Sequence, residues 1–291
     1  MFGVNKIVGK AFFKQAKHDE LLVTSRFFTL QGEGPYRGHP AYFIRLAKCN
    51  LACSFCDTYF DSGEWRSFSS LLAEADEVIA QFFKQRDLPT PAWGQGLAKK
   101  IVLVITGGEP SLQSNVSAFL AEAQRYFQYT QIESNGTSLL ANLPATTTLV
   151  VSPKCLEKNG VALRYLEPNV NMLARADYLK FVMSAPEDEQ YLPYSEIPVW
   201  AQQWAAHTNK QVFVSPLNCY QQEPQRVKIM RDEGRELTMA ERSEINEVIS
   251  FWEPGLLDVQ KNQRNHEYAA EYCMKHGFIF NLQIHLFASL P

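Results

Sequence analysis

Long apolar runs are missing from this chain. Nothing in it approaches the ~20 consecutive apolar residues that a membrane span requires. The first stretch, 1–20, is interrupted by Lys6, Lys10, Lys14 and Lys17, so it lacks the apolar core of a secretory signal. An excess of either charge is missing as well. The 28 basic and 31 acidic residues leave a net charge of −3, which supplies no bulk field for nucleic acid or an anionic membrane but leaves room for a local basic pocket. There is no internal repeat, no low-complexity segment and no convincing linker, and 15 glycines with 15 prolines do not mark a disordered or collagen-like chain. These absences predict a cytoplasmic globular protein, folded as one domain over 1–291, with no direct nucleic-acid or membrane partner. A single α/β barrel commonly occupies about 200–250 residues, so the length suits one domain with insertions.

Strand-like and helix-like segments alternate in what remains. The stretches 21–28 and 41–47 read as strands flanking a Gly-rich turn, and 101–106 as a strand buried on both faces. Further strands are expected at 129–133, 147–151, 177–182, 211–214 and 278–284. Leu72, Ala75, Ile79 and Phe83 recur at helical spacing behind a serine-rich start, predicting a helix over 67–86. Val116, Phe119, Leu120, Ala123 and Phe127 predict a second helix. Thr238 to Glu241 resembles a capping box opening a third, with Ile245, Val248, Ile249 and Trp252 on one side. The alternation suggests a parallel sheet with βαβ crossovers, either a barrel or a doubly wound sheet. The core is expected over about 21–291, with polar insertions at about 84–100 and 219–265.

Cysteine is sparse but unevenly placed. Three of the six lie together as Cys49, Cys53 and Cys56, a C-x3-C-x2-C pattern after a strand, while Cys155, Cys219 and Cys273 are scattered. Clustering of this kind in a large chain favours metal over disulfides. A structural zinc site needs four ligands, and His39 is the candidate for the fourth; that reading gives a non-catalytic interaction module. A four-iron cluster held by only three thiolates keeps one iron open to another ligand.

The C-x3-C-x2-C spacing resembles the signature of radical S-adenosylmethionine enzymes. There the open iron chelates S-adenosylmethionine, which is cleaved to a 5′-deoxyadenosyl radical. Thr106-Gly107-Gly108-Glu109-Pro110, after a buried strand, resembles that superfamily's contact to the methionine amino group. It is equally a strand-to-helix turn with proline at the helix start. Leu30-Gln31-Gly32-Glu33-Gly34, Pro40 to Leu46 with Arg45, and Cys56-Asp57-Thr58 narrow the resemblance to the 7-carboxy-7-deazaguanine synthase family. Sparser matches follow at Glu133–Gly136, Ser152–Lys154, Leu179–Val182 and Gln283–His285. A glycyl-radical-enzyme activase shares the cysteine spacing but has no use for pterin contacts such as Arg45 and Thr58.

The resemblance implies a modified, partly open (β/α) TIM-type barrel. Its reaction converts 6-carboxy-5,6,7,8-tetrahydropterin to 7-carboxy-7-deazaguanine with loss of ammonia, on the route to queuosine. It implies a 4Fe-4S cluster on Cys49, Cys53 and Cys56. S-adenosylmethionine would be bound by Phe55, Cys56, Asp57, Gly108, Glu109, Ser134, Ser152, Pro153, Lys154, Ser215 and Asn218. The pterin would meet Leu30, Gln31, Gly32, Glu33, Arg45, Thr106 and the carboxylate of Pro291. Thr58 would hold Mg2+, an ion that prefers oxygen ligands. An external electron donor such as flavodoxin and a homodimer are also implied. The residue chemistry suits this reading: an arginine in an apolar strand needs an anion, and its planar fork matches a carboxylate. An internal ion pair is the other explanation for Arg45. One departure stands out, since Ser215-Pro216-Leu217-Asn218 replaces the Gln-Pro-x-Asp frequent in the family.

Overall fold

The computed structural model describes residues 6–220 and 257–290. The expected helix after Thr238 lies outside the described residues, as does Pro291. Nine strands form one sheet: β1 (Glu20–Leu30), β2 (Pro40–Leu46), β3 (Glu64–Ser67), β4 (Lys99–Gly107), β5 (Phe127–Ser134), β6 (Thr148–Val151), β9 (Tyr178–Met183), β10 (Val212–Pro216) and β11 (Ile279–Phe280). Their spatial order is β11-β10-β9-β6-β5-β4-β2-β1-β3. Every pairing from β2 to β11 is parallel, and β1 runs antiparallel to both β2 and β3. A separate hairpin, β7 (Cys155–Lys158) with β8 (Val161–Tyr165), lies outside the main sheet.

Side-chain parity decides which residues reach the centre. One face of the sheet presents Tyr42, Ile44 and Leu46 from β2, Leu103 and Ile105 from β4, and Leu179, Phe181 and Met183 from β9. These pack beneath helices α1 (Phe68–Lys84), α2 (Val116–Ala123), α4 (Val199–Thr208) and α5 (Val259–His276) in one apolar core. The opposite parity places Phe43 and Arg45, Thr106, Glu133, Lys180 and Ser215 on the inner side, lining a cavity. Burial on both faces explains why β4 reads as an unbroken apolar run. Ser67 caps α1, its hydroxyl accepting from the Ser70 amide at 3.2 Å, an interaction worth about 1 kcal/mol.

Among the described residues no ladder joins β11 to β3, so the sheet is open. It curls enough for the turn after β1 to meet the far strands. The Gly34 amide donates to Asn281 Oδ1 at 3.0 Å, and Arg37 donates to the Phe280 carbonyl at 3.1 Å. The large, mostly parallel, partly open α/β sheet is the architecture expected from the sequence.

Several boundaries differ from expectation. Phe127 continues the helical spacing of α2, yet it is the first residue of β5. The stretch 278–284 holds only a two-residue strand, and Ile284 opens a short helix, α6 (Ile284–Ala288). The stretch 84–100 ends inside β4, and α5 begins at Val259, within the supposed 219–265 insertion. Residues before 21 also pack on the core. Ile7 bridges Cys49, the Val8 amide donates to the Cys49 carbonyl at 2.9 Å, and Phe13 is buried with Leu22, Ala47 and Leu112.

The tips of β2 and β4 touch backbone to backbone. Gly108 N–H donates to the Leu46 carbonyl and Glu109 N–H to the Lys48 carbonyl, both at 2.8 Å. A Cβ on Gly108 would stand 1.8 Å from the Lys48 oxygen, and one on Gly107, at φ 110°, 2.3 Å from the Leu46 nitrogen. Backbone cannot yield as a side chain does, so Gly108→Ala should destabilise the fold by about 1–3 kcal/mol or more. Gly9→Ala, where nothing lies within 4 Å, should leave the thermal midpoint unchanged. Equal midpoints for the two variants would refute this account of the contact.

Candidate active site

The inner faces of the strands converge at their C-terminal ends on a cavity of about 260 Å³. One wall is the loop 49–56. The chain leaves β2 through Lys48, whose φ of 73° is in the left-handed region; that turn aims the loop across the strand ends. The loop is tied on several sides. Asn50 donates to Thr137 Oγ1 at 2.7 Å and accepts from Asn135 at 2.9 Å, while the Ser54 amide donates to Glu157 at 2.8 Å. Phe55 inserts edge-on against Tyr191 and Tyr194, with ring centroids 5.9 and 5.1 Å away.

Cys49, Cys53 and Cys56 all line the cavity. Burial pushes the Cys49 thiol up to about 11 and Cys53 up to about 12, and it raises Cys56 too. Without a metal these sulfurs are therefore protonated, and ligation must expel their protons. The donor set fits a cluster. Three soft thiolates on one cavity suit iron–sulfur ligation, and as only three they would leave one iron open. His39 sits elsewhere, edge-on to Tyr36 and Tyr129, and does not line the cavity. It does not supply the fourth ligand of a zinc site.

Glu109 is 1% exposed. Its carboxylate accepts from Ser134 Oγ at 2.7 Å, from the Asn135 amide at 2.7 Å and from the Ser111 amide at 2.8 Å. A carboxylate has about four acceptor sites, so one remains for a ligand ammonium. Lys154 folds back on the carbonyl and hydroxyl of Ser152, at 2.7 and 2.6 Å. Burial lowers its pKa, and Cys53 opposes that shift.

The other wall is built by β1, β2 and the turn after β1. Phe27 and Phe43 stack with centroids 5.0 Å apart, and the Arg45 guanidinium lies 4.7 Å over the Phe27 ring. Burial lowers the Arg45 pKa, opposed by Asp57, yet an arginine so placed stays charged. Thr58 Oγ1 donates to Asp57 at 3.0 Å. A Cβ on Gly32 would fall 2.2 Å from His285 Nδ1, so the bare glycine lets that ring close over the cavity.

Leu30, Gln31, Gly32, Glu33, Arg45, Cys49, Cys53, Phe55, Cys56, Asp57, Thr58, Thr106, Gly108, Glu109, Ser134, Ser152, Lys154, Ser215 and Asn218 all line this one cavity. Pro153 does not. Ser215, expected on the cofactor, donates to Glu33 at 2.8 Å, and Asn218 donates to Gln283 at 2.6 Å. Sequence reasoning passed over Glu133, Lys180 and His285 as site residues. A signal existed for Lys180, which interrupts a buried strand just as Arg45 does.

The chain matches no family model. Several curated proteins match it, each named 7-carboxy-7-deazaguanine synthase. That of Rhodospirillum rubrum is 34% identical over 194 residues, covering 65% of this chain and 68% of the relative. That of Methanospirillum hungatei is 31% identical over 206 residues, 69% of this chain and 75% of the relative. That of Rickettsia prowazekii is 35% identical over 199 residues, 68% and 74% respectively. Among solved structures, QueE from Escherichia coli superposes with a TM-score of 0.50 at 18% identity, covering 94% of this chain and 98% of that one, and so shares the fold. With that fold, a three-cysteine cavity and about a third of the aligned residues identical to relatives covered for more than two thirds of their length, this chain belongs to the 7-carboxy-7-deazaguanine synthase family of radical S-adenosylmethionine enzymes.

Proposed function

We propose that this chain converts 6-carboxy-5,6,7,8-tetrahydropterin to 7-carboxy-7-deazaguanine with release of ammonia, on the route to queuosine and other 7-deazapurines. One observation carries the reading: the three cluster cysteines and a buried arginine, Arg45, line a single cavity. When bound, the 4Fe-4S cluster and S-adenosylmethionine supply the one-electron chemistry that removes a hydrogen atom from substrate.

The chain's own residues bind and orient. Arg45 receives the substrate carboxylate through its two-pronged fork. Phe27 and Phe43 offer apolar faces beside it. Glu33 and Gln31 meet the amino and amide edge of the pterin. Glu109, Ser134, Ser152 and Lys154 belong to the S-adenosylmethionine side. Thr58, with Asp57 beside it, offers hard oxygen atoms to Mg2+, which would hold the substrate carboxylate as a template. The same reading includes an external electron donor such as flavodoxin, a homodimer, a single domain and a cytoplasmic setting without direct nucleic-acid contact. No helix among the described residues is long and apolar enough to cross a membrane.

Anaerobic reconstitution with the carboxy-tetrahydropterin, S-adenosylmethionine and a reductant should yield the deazaguanine, read by mass. S-adenosylmethionine cleavage without that product would sink the substrate assignment. Cys53→Ala should abolish cleavage, because a ligand-depleted cluster cannot present one open iron. Cys273→Ala, in the core behind the sheet, should retain it. Arg45→Lys keeps the charge but loses the fork, so the KM for pterin should rise roughly ten- to a hundred-fold. S-adenosylmethionine affinity should stay as it was; equal loss of both would make Arg45 a folding residue.

A further inference from the structure

Strand β9 sends a charge into the cavity. Lys180 is 6% exposed, and its Nζ lies 2.8 Å from Glu33 Oε2 and 2.6 Å from Glu133 Oε2. The two carboxylates come from separate elements, the turn after β1 and strand β5. Their second oxygens are also engaged. Glu33 Oε1 accepts from Ser215 Oγ at 2.8 Å, and that hydroxyl accepts from Asn281 at 2.8 Å. Glu133 Oε1 accepts from Gln131 at 2.9 Å and from Gln31 at 3.4 Å. Among the described residues, Lys154 and His285 are the other titratable groups facing this triad.

Two carboxylates bonded to one nitrogen lie no further apart than those two bonds together. Buried at such a distance, both cannot stay ionised without a cation between them. Burial alone would raise Glu33, but Lys180 and Ser215 hold it below the ordinary carboxylate range. With one ammonium between them the pair keeps a single net negative charge and free lone pairs at the cavity surface.

We propose that Lys180 is a positioning residue, holding Glu33 and Glu133 together and fixed as a paired acceptor for the donor-rich amino–amide edge of the substrate. This rests on the pterin reading above. A purely structural tie between β9, β5 and the turn after β1 would strengthen the fold without making substrate binding depend on protons. The two roles therefore separate in a pH profile.

The KM for the carboxy-tetrahydropterin is measured on reconstituted holoenzyme between about pH 6 and about pH 8.5. In Lys180→Gln the unshielded pair binds a proton. Its KM should exceed the wild-type value roughly ten- to a hundred-fold at the acid end. The gap should narrow as pH rises and the second carboxylate ionises. Lys180→Arg keeps the cation and should restore the wild-type profile. Lys180 and Glu33 also act on His285, so every profile is measured in a His285→Gln background, where the difference isolates the pair. A constant gap at all pH values, or none, overturns the proposal, as does an arginine variant that follows the glutamine one. If Lys180→Gln does not fold, Lys180→Gln with Glu133→Gln should recover stability, since the fault is an uncompensated charge. A double variant as unstable as the single one overturns the proposal too. Absence of pterin turnover in the wild type sinks the substrate reading itself, whereas wild-type KM in Lys180→Gln sinks only the role of Lys180.

Discussion

The site depends on a contact between two pieces of backbone. Gly107 and Gly108 lie so close to Leu46 and Lys48 that no side chain fits between them. The cysteine loop thus departs from a point fixed by the neighbouring strand. The constraint then runs in a circle. Glu109, held by the Lys48 carbonyl, gathers the Ser134 hydroxyl and the Asn135 amide. Asn135 in turn donates to Asn50 inside the cysteine loop. Three sequence motifs far apart in the chain therefore fix one another, and a shift in any of them must displace the other two.

Burial keeps the cysteine thiols neutral, and the nearby cations differ from one to the next: Lys154 acts on Cys49 and Cys53, and Arg45 on Cys56. Charges are also kept in number in the same cavity, with Arg45 beside Asp57 and Lys180 between two glutamates. Buried ions persist only when paired and hydrogen-bonded. Here the pairing is arranged by strand parity, which sends alternate residues of β2, β5, β9 and β10 inward while their neighbours build the apolar core.

Much of this was legible in the residue order. The apolar run 101–106 announced a strand buried on both faces, and Arg45 within an apolar strand announced an inward-facing cation. Phe127 misled because helical spacing from Ala123 runs on by coincidence into the next strand. The stretch 278–284 is apolar enough for a strand, yet its last residue is needed to turn α6, which carries His285 over Gly32. The pairing of Lys180 with Glu33 could not be read at all. It depends on how far an open sheet curls, which no local pattern encodes. Motif position places Ser215 in the site, but its hydrogen bonds to Glu33 and Asn281 depend on the same curl.

The curl has a consequence for the order of events in synthesis. Gly34 meets Asn281 across 247 residues of chain, and His285 closes over Gly32 only after α6 exists. Contacts between such distant segments form late, since the chain between must first be gathered. The cysteines leave the ribosome early, before the wall that will face them. Until α6 emerges, the cysteine loop lacks the side chains that close the cavity opposite it. Loading of the metal centre is thereby best timed after α6 has formed, and a chain lacking that helix would carry its cysteines without the wall that faces them.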